Sequence, residues 1–167
     1  MKAVSFLRDE GFWKKWAIGS LFGSQIIELE GIKKDGETVF LDLRPADPRA
    51  LLLGDYMALR YREERPRNLP KEISSSGQFI LTLDANKVGT FARHADDAEV
   101  GPNEVRINYI RRSRGVTFGA PRYYFQNGTA ETYEAAEYGI FKISPNGRAV
   151  LVGLADDKFK EILPPEG

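Results

Sequence analysis

The chain of 167 residues contains no cysteine and a single histidine, His94. The first absence removes disulfides, thiolate nucleophiles, redox pairs and Cys-based zinc sites together, and the second leaves no His-rich metal site. Lys and Arg total 24, Asp and Glu also total 24, and the formal net charge is zero. No global field therefore draws the protein to nucleic acid or to an anionic membrane, and any such attraction has to come from a local patch. No GxGxxG or GKS/T arrangement occurs, and Gly101, Gly115, Gly119 and Gly128 stand singly at turns, which excludes a phosphate-cradling nucleotide loop. Long hydrophobic runs are missing as well. A spanning helix needs roughly 20 mainly apolar residues; residues 16–27 (WAIGSLFGSQII) are too few and are interrupted by two Gly-Ser pairs and Gln25. Residues 1–7 lack the apolar stretch and small-residue cleavage site of a signal peptide. No metal, cofactor or nucleic acid is expected.

What is present is enough apolar material for one core, with 42% hydrophobic and 11% aromatic residues. Residues 1–30 form an N-terminal segment. Its run Phe12-Trp13-Lys14-Lys15-Trp16 has the aromatic and basic character of a membrane-anchor flank. A helix laying Phe6, Trp13 and Trp16 on the domain, or the remnant of an expression tag, gives the same pattern. From Ile26 onward the reading is strand after strand. Val39, Leu41 and Leu43 alternate with Phe40 and Asp42, the period of a half-buried strand. Asp47 and Pro48 open a short helical turn that Gly54 closes, and residues 55–62 predict a second strand. Residues 78–83 and 88–93 predict a hairpin around Asp84-Ala85-Asn86, followed by strands at 104–111, 116–118 and 122–125. Residues 129–137 (TAETYEAAE) predict a short helix capped by Thr129, and 138–144 with 149–154 a hairpin through Pro145-Asn146-Gly147. About eight short strands with one interposed helix imply a mainly β domain that is antiparallel and closes into a small barrel or sandwich. That domain spans residues 31–160, with 161–167 as a tail.

Gly54-Asp55-Tyr56-Met57-Ala58-Leu59-Arg60-Tyr61 has the form GDYxxLxY and resembles the bacterial family named for that motif, the GDYXXLXY proteins. The similarity extends to the approach, Leu43-Arg44-Pro45-Ala46-Asp47-Pro48-Arg49, and to Arg122-Tyr123-Tyr124-Phe125 and residues 147–154 (GRAVLVGL), so that it covers residues 25–155. The resemblance implies a membrane-anchored protein with one spanning helix ahead of a domain on the extracytoplasmic face. It also implies a multi-pass membrane protein as partner, because such proteins are encoded beside the family. Here the chain departs from the pattern: only the flanks of a span, residues 12–16 and 25–30, are recognisable. As it stands it is expected to be soluble, its span either cut out or lost in a natural variant. The function implied is that of a non-enzymatic accessory or binding domain.

On a strand, Asp55, Met57, Leu59 and Tyr61 share one face and Tyr56, Ala58, Arg60 and Arg62 the other. Leu59 and Tyr61 then belong to the core. Asp55, beside the tight Gly54 turn, has two readings: its carboxylate accepts backbone N–H groups of the preceding loop and fixes it, or it joins Tyr56, Tyr61, Arg44 and Arg49 in a polar ligand-binding cluster. An enzymatic alternative is a hydrolase or ligand-processing enzyme centred on Asp55. The order Pro48, Leu51, Gly54, Asp55 echoes the stretch after the nucleophile in signal-peptidase-like barrels. Those enzymes need a serine just before the proline, where this chain has Pro45, Ala46 and Asp47. No serine occurs between Ser24 and Ser74, so a Ser/Lys mechanism has no nucleophile. No catalytic residue is assigned.

Other constellations have plainer explanations. Arg106, Arg111, Arg112, Arg114 and Arg122 interleave with Tyr109, Tyr123 and Tyr124, the ingredients of a single-strand nucleic-acid surface. The neighbouring Asp96, Asp97, Glu99 and Glu104 favour a solvated, salt-paired edge strand instead. The same acids lack the alternating ligands and glycine of a calcium loop. His94 reads as an exposed strand-end residue, and Glu131, Glu134 and Glu137 as one solvent-facing side of the short helix.

Overall fold

Among the described residues the chain forms nine strands, with period-two alternation clearest in the first: β1 (Glu37–Asp42), β2 (Tyr56–Ala58), β3 (Ser76–Leu83), β4 (Gly89–His94), β5 (Glu104–Arg112), β6 (Gly115–Thr117), β7 (Arg122–Tyr124), β8 (Tyr138–Ile143) and β9 (Ala149–Ala155). The computed structural model describes residues 30–44, 56–67, 72–95, 99–113, 115–119, 121–125 and 128–164. The strands form three antiparallel sheets, ordered β1-β8-β9, β2-β7 and β4-β3-β5-β6. Helical structure among the described residues is limited to 30–35 and two 3-10 turns, Arg62–Glu64 and Ala130–Tyr133. No described helix is long and apolar enough to cross a membrane.

Turn chemistry sets the hairpins β3-β4 and β8-β9. Asp84 Oδ1 accepts the N–H groups of Asn86 and Val88, both at 2.8 Å, and so closes the connection between β3 and β4. Gly147, at φ +85, supplies the left-handed residue that the connection between β8 and β9 requires. Its carbonyl accepts the Asn108 N–H at 2.8 Å, which docks this hairpin on β5.

Bridges join the three sheets around one core. Phe40 donates its N–H to the Lys87 carbonyl at 2.9 Å and bridges Val88 in parallel, linking β1 to the start of β4. Leu43 bridges Tyr61, Arg44 donates to the Arg60 carbonyl, and Leu59 donates to that of Pro121, which ties the β2-β7 pair to the end of β1. The 3-10 turn Arg62–Glu64 then lies against β6, so close that a Cβ on Gly115 (φ +143) would collide with the Glu64 carbonyl oxygen. The enclosed cluster includes Leu41, Tyr61, Phe79, Ile107, Phe118, Phe141 and Leu154, all fully buried. The Phe79 ring sits 4.2 Å from that of Tyr109 and 4.8 Å from those of Phe91 and His94.

Three local expectations differ from the structure. The strand expected over 55–62 is, among described residues, the three-residue β2, because its partner β7 is equally short and Arg62–Glu64 turns away to meet β6. The helix expected over 129–137 is one 3-10 turn without a side-chain cap from Thr129. Tyr133 is buried against Tyr123 and Phe125, with ring centroids 5.3 and 5.4 Å away, and fixes that turn to the sheet. His94 is half-buried rather than exposed, its ring edge-on to Phe79, and its Nε2 has no hydrogen-bond partner among the described residues. The helical turn expected after Pro48 and the N-terminal aromatic run lie outside the described residues. At the other end, Glu161 bridges Ala155 and Ile162 donates to the Leu154 carbonyl at 2.8 Å.

Candidate functional site

Tyr56 to Tyr61 of the GDYxxLxY run are described, whereas the candidates Asp55 and Arg49 lie outside the described residues. Met57, Leu59 and Tyr61 are buried and Ala58 and Arg60 exposed, the alternation a strand imposes. Tyr56 stands on the outer face. Its ring lies 5.8 Å from that of Tyr124, with the Arg122 guanidinium 5.0 Å above it, a stack that holds β2 to β7. Tyr61 is 0% exposed and meets Phe141 edge-on at 5.2 Å. Gly139 on β8 makes room for it, since a Cβ there would approach Tyr61 Cε1 to 2.8 Å. The Tyr61 hydroxyl has no partner among the described residues. Burial, and then the Glu64 charge, push the phenol far above its ordinary pKa.

The three residues after the run reach three different strands. Arg62 Nε pairs with Asp42 of β1 at 2.9 Å. Glu63, itself buried, accepts the Phe91 N–H of β4 at 2.8 Å. Glu64 accepts the Tyr61 N–H at 3.4 Å and also takes bonds from the Thr117 side chain of β6 and the Phe118 backbone. Burial raises the Glu64 pKa, opposed by these hydrogen bonds and by the Arg44 charge. Arg62, Glu63 and Glu64 thus act as fasteners where the sheets meet.

Between residues 59–65 and the end of β5 with β6 lies an open groove of about 780 Å³. Arg44, Arg60, Arg65 and Arg112 line it, Glu64 is its one carboxylate among the described residues, and Leu59, Ile110, Val116 and Pro121 give it apolar wall. Among the described residues, Arg60, Arg65 and Arg112 have no ion-pair partner. Of the candidates, the groove brings Arg44 and Tyr61 together; Tyr56 is elsewhere, stacked with Tyr124 and Arg122. A second concavity of about 500 Å³ is lined by Glu37, Lys87, Glu104 and Arg106 among others. Its charges are largely matched. Lys87 pairs with Glu37 at 2.8 Å, and Arg93 pairs with Glu104 at 2.5 Å, holding that carboxyl down at about 2. No group of three or more potential metal ligands occurs among the described residues.

Sequence reasoning missed Arg60, Arg65, Arg112 and Glu64 as site residues. The run Arg60-Tyr61-Arg62-Glu63-Glu64-Arg65 carried the signal: charges packed around a residue assigned to the core mark a place where a strand leaves the interior. Arg112, read with its neighbours as part of a solvated edge strand, gave no sign of this groove, because the groove joins segments far apart in the chain. The other described arginines of that region are dispersed. Arg111 Nη1 donates to the Ile73 carbonyl at 2.8 Å, Arg106 donates to Gln78 Oε1 at 3.1 Å, and Arg122 stacks on Tyr56.

Comparison with known proteins matches the chain to the family model described as GDYXXLXY protein, over residues 19–154. No curated protein matches the chain. No solved structure matches it either.

Proposed function

The chain belongs to the GDYXXLXY protein family, and from that premise we propose that it is a non-enzymatic accessory or binding domain of a membrane-associated protein. In this reading it works on the extracytoplasmic side with a multi-pass membrane protein as partner. The observation that carries the non-enzymatic part is the use made of residues 56–64, the described part of the motif and its continuation. Met57, Leu59 and Tyr61 are spent on the core, Tyr56 on the β2-β7 stack, and Glu63 and Glu64 on backbone groups of other strands. Side chains committed to closing a fold are poor candidates for proton transfer, which needs a group able to leave its partners during reaction. Support for the membrane part comes from the aromatic and basic run Phe12 to Trp16, the composition of a segment that rests at a lipid interface.

The test is co-sedimentation of the full chain with zwitterionic lipid vesicles, beside a W13A/W16A variant. The full chain is expected in the vesicle pellet and the double variant in the supernatant. Equal recovery of the two in the pellet removes the N-terminal segment as the membrane contact.

A further inference from the structure

In a protein with zero net charge, the groove beside the motif is an electrostatic exception. Among the described residues four arginines, Arg44, Arg60, Arg65 and Arg112, line it with a single carboxylate. That carboxylate, Glu64, is already taken by the Tyr61 N–H, Thr117 and Phe118, and the four arginines outnumber it. Guanidinium groups present planar forks of N–H donors that match oxyanions, and clustered in a concavity they favour a group of high negative charge. The wall beside them is apolar, and Ile110 at its rim is 51% exposed, a large side chain left open to water. An anionic head with an apolar body fits both features at once.

We propose that this groove binds the headgroup of an anionic phospholipid, its phosphate held by Arg60, Arg65 and Arg112 and its glycerol and first acyl carbons laid on Ile110. The proposal rests on the membrane-associated reading for the choice of a lipid over a soluble phosphate ester. It places the domain close to the bilayer surface, oriented by a site distinct from the N-terminal aromatic run. Arg62 is a built-in control. It is adjacent in sequence and equally cationic, but it pairs with Asp42 and does not line the groove.

The experiment is calorimetric titration of the full chain with dihexanoyl phosphatidic acid below its micellar concentration, which removes any contribution from vesicle insertion. Dihexanoyl phosphatidylcholine and glycerol 3-phosphate serve as comparison ligands. The phosphatidic acid is expected to bind and the phosphatidylcholine to bind at least tenfold more weakly. An R60Q/R112Q variant is expected to lose at least tenfold in affinity with its thermal midpoint unchanged, both residues being exposed. R62Q is expected to bind as the parent does. Equal affinity of R60Q/R112Q and parent overturns the site, and so does equal affinity for phosphatidylcholine. Equal affinity for glycerol 3-phosphate overturns the lipid as its ligand. Because the lipid is monomeric, these results stand apart from the sedimentation of W13A/W16A, and either reading can fail alone.

Discussion

Tyr61 is the motif residue whose environment is most demanding. A buried hydroxyl without a partner costs on the order of 1–3 kcal/mol in lost hydration, and the one on Tyr61 has none among the described residues. Tyr61→Phe keeps the edge contact with Phe141 and removes that cost, so it is expected to leave stability unchanged or raise it by about 1 kcal/mol in urea unfolding. A loss of more than about 1 kcal/mol contradicts this and points to a partner in residues 45–55. Alkaline pH gives a second readout of the same group. Phenols in the unfolded chain ionise near 10, whereas burial raises Tyr61 and Tyr123 in the folded state, Tyr123 to about 12. With the folded values above the unfolded ones, the stability these groups confer is complete below pH about 10 and is lost as pH rises above it. The urea midpoint is therefore expected to fall from about pH 10 upward, and more shallowly in the Phe variant.

At the scale of elements, what the sequence made legible was local. Asp84-Ala85-Asn86 and Pro145-Asn146-Gly147 carry their turn instructions within a few residues, and both hairpins form there. The faces of the motif strand followed from period two, and Met57, Leu59 and Tyr61 are buried accordingly. What was illegible depends on partners remote in the chain. The brevity of β2 is set by β7, the single 3-10 turn at Ala130–Tyr133 by the packing of Tyr133, and the groove by the meeting of residues 59–65 with β5 and β6. Arg44 and Tyr61 could be named from the motif; Arg112 and Glu64 needed the closed fold. The hairpin between β8 and β9 has both a local and a remote side, and two glycines separate them. Gly147 and Gly128 have nearly the same φ, +85 and +83, but a Cβ at Gly147 would approach Asn108 Oδ1 to 2.7 Å while one at Gly128 meets nothing within 4 Å. Gly128→Ala is expected to cost about 1 kcal/mol from backbone strain alone. Gly147→Ala adds the displacement of the hairpin from β5 and is expected to cost about 2–3 kcal/mol. Equal losses in chemical denaturation would mean that the docking of this hairpin contributes little.

Across the described residues the sheets are short, and the β2-β7 sheet has only two strands, too few to be stable alone in water. Their stability has to come from the shared core and from the bridges at Phe40 with Val88 and Leu43 with Tyr61. Leu59, just after β2 in the motif segment, and Phe79, in the middle of the four-stranded sheet, belong to the same buried cluster. Truncating either leaves a cavity that the shared interior closes only in part. Leu59→Ala is expected to cost about 3 kcal/mol and Phe79→Ala about 4. If one cooperative unit is being weakened, each loss moves the same transition, with circular dichroism and tyrosine fluorescence coinciding and the urea dependence of stability unchanged. Two resolved transitions, only one of them shifted by Leu59→Ala, would instead make the motif segment and its strands a separate unit. In that case the groove would lie on a joint between units, because Leu59, Arg60 and Arg65 form one side of it and Ile110, Arg112 and Val116 the other.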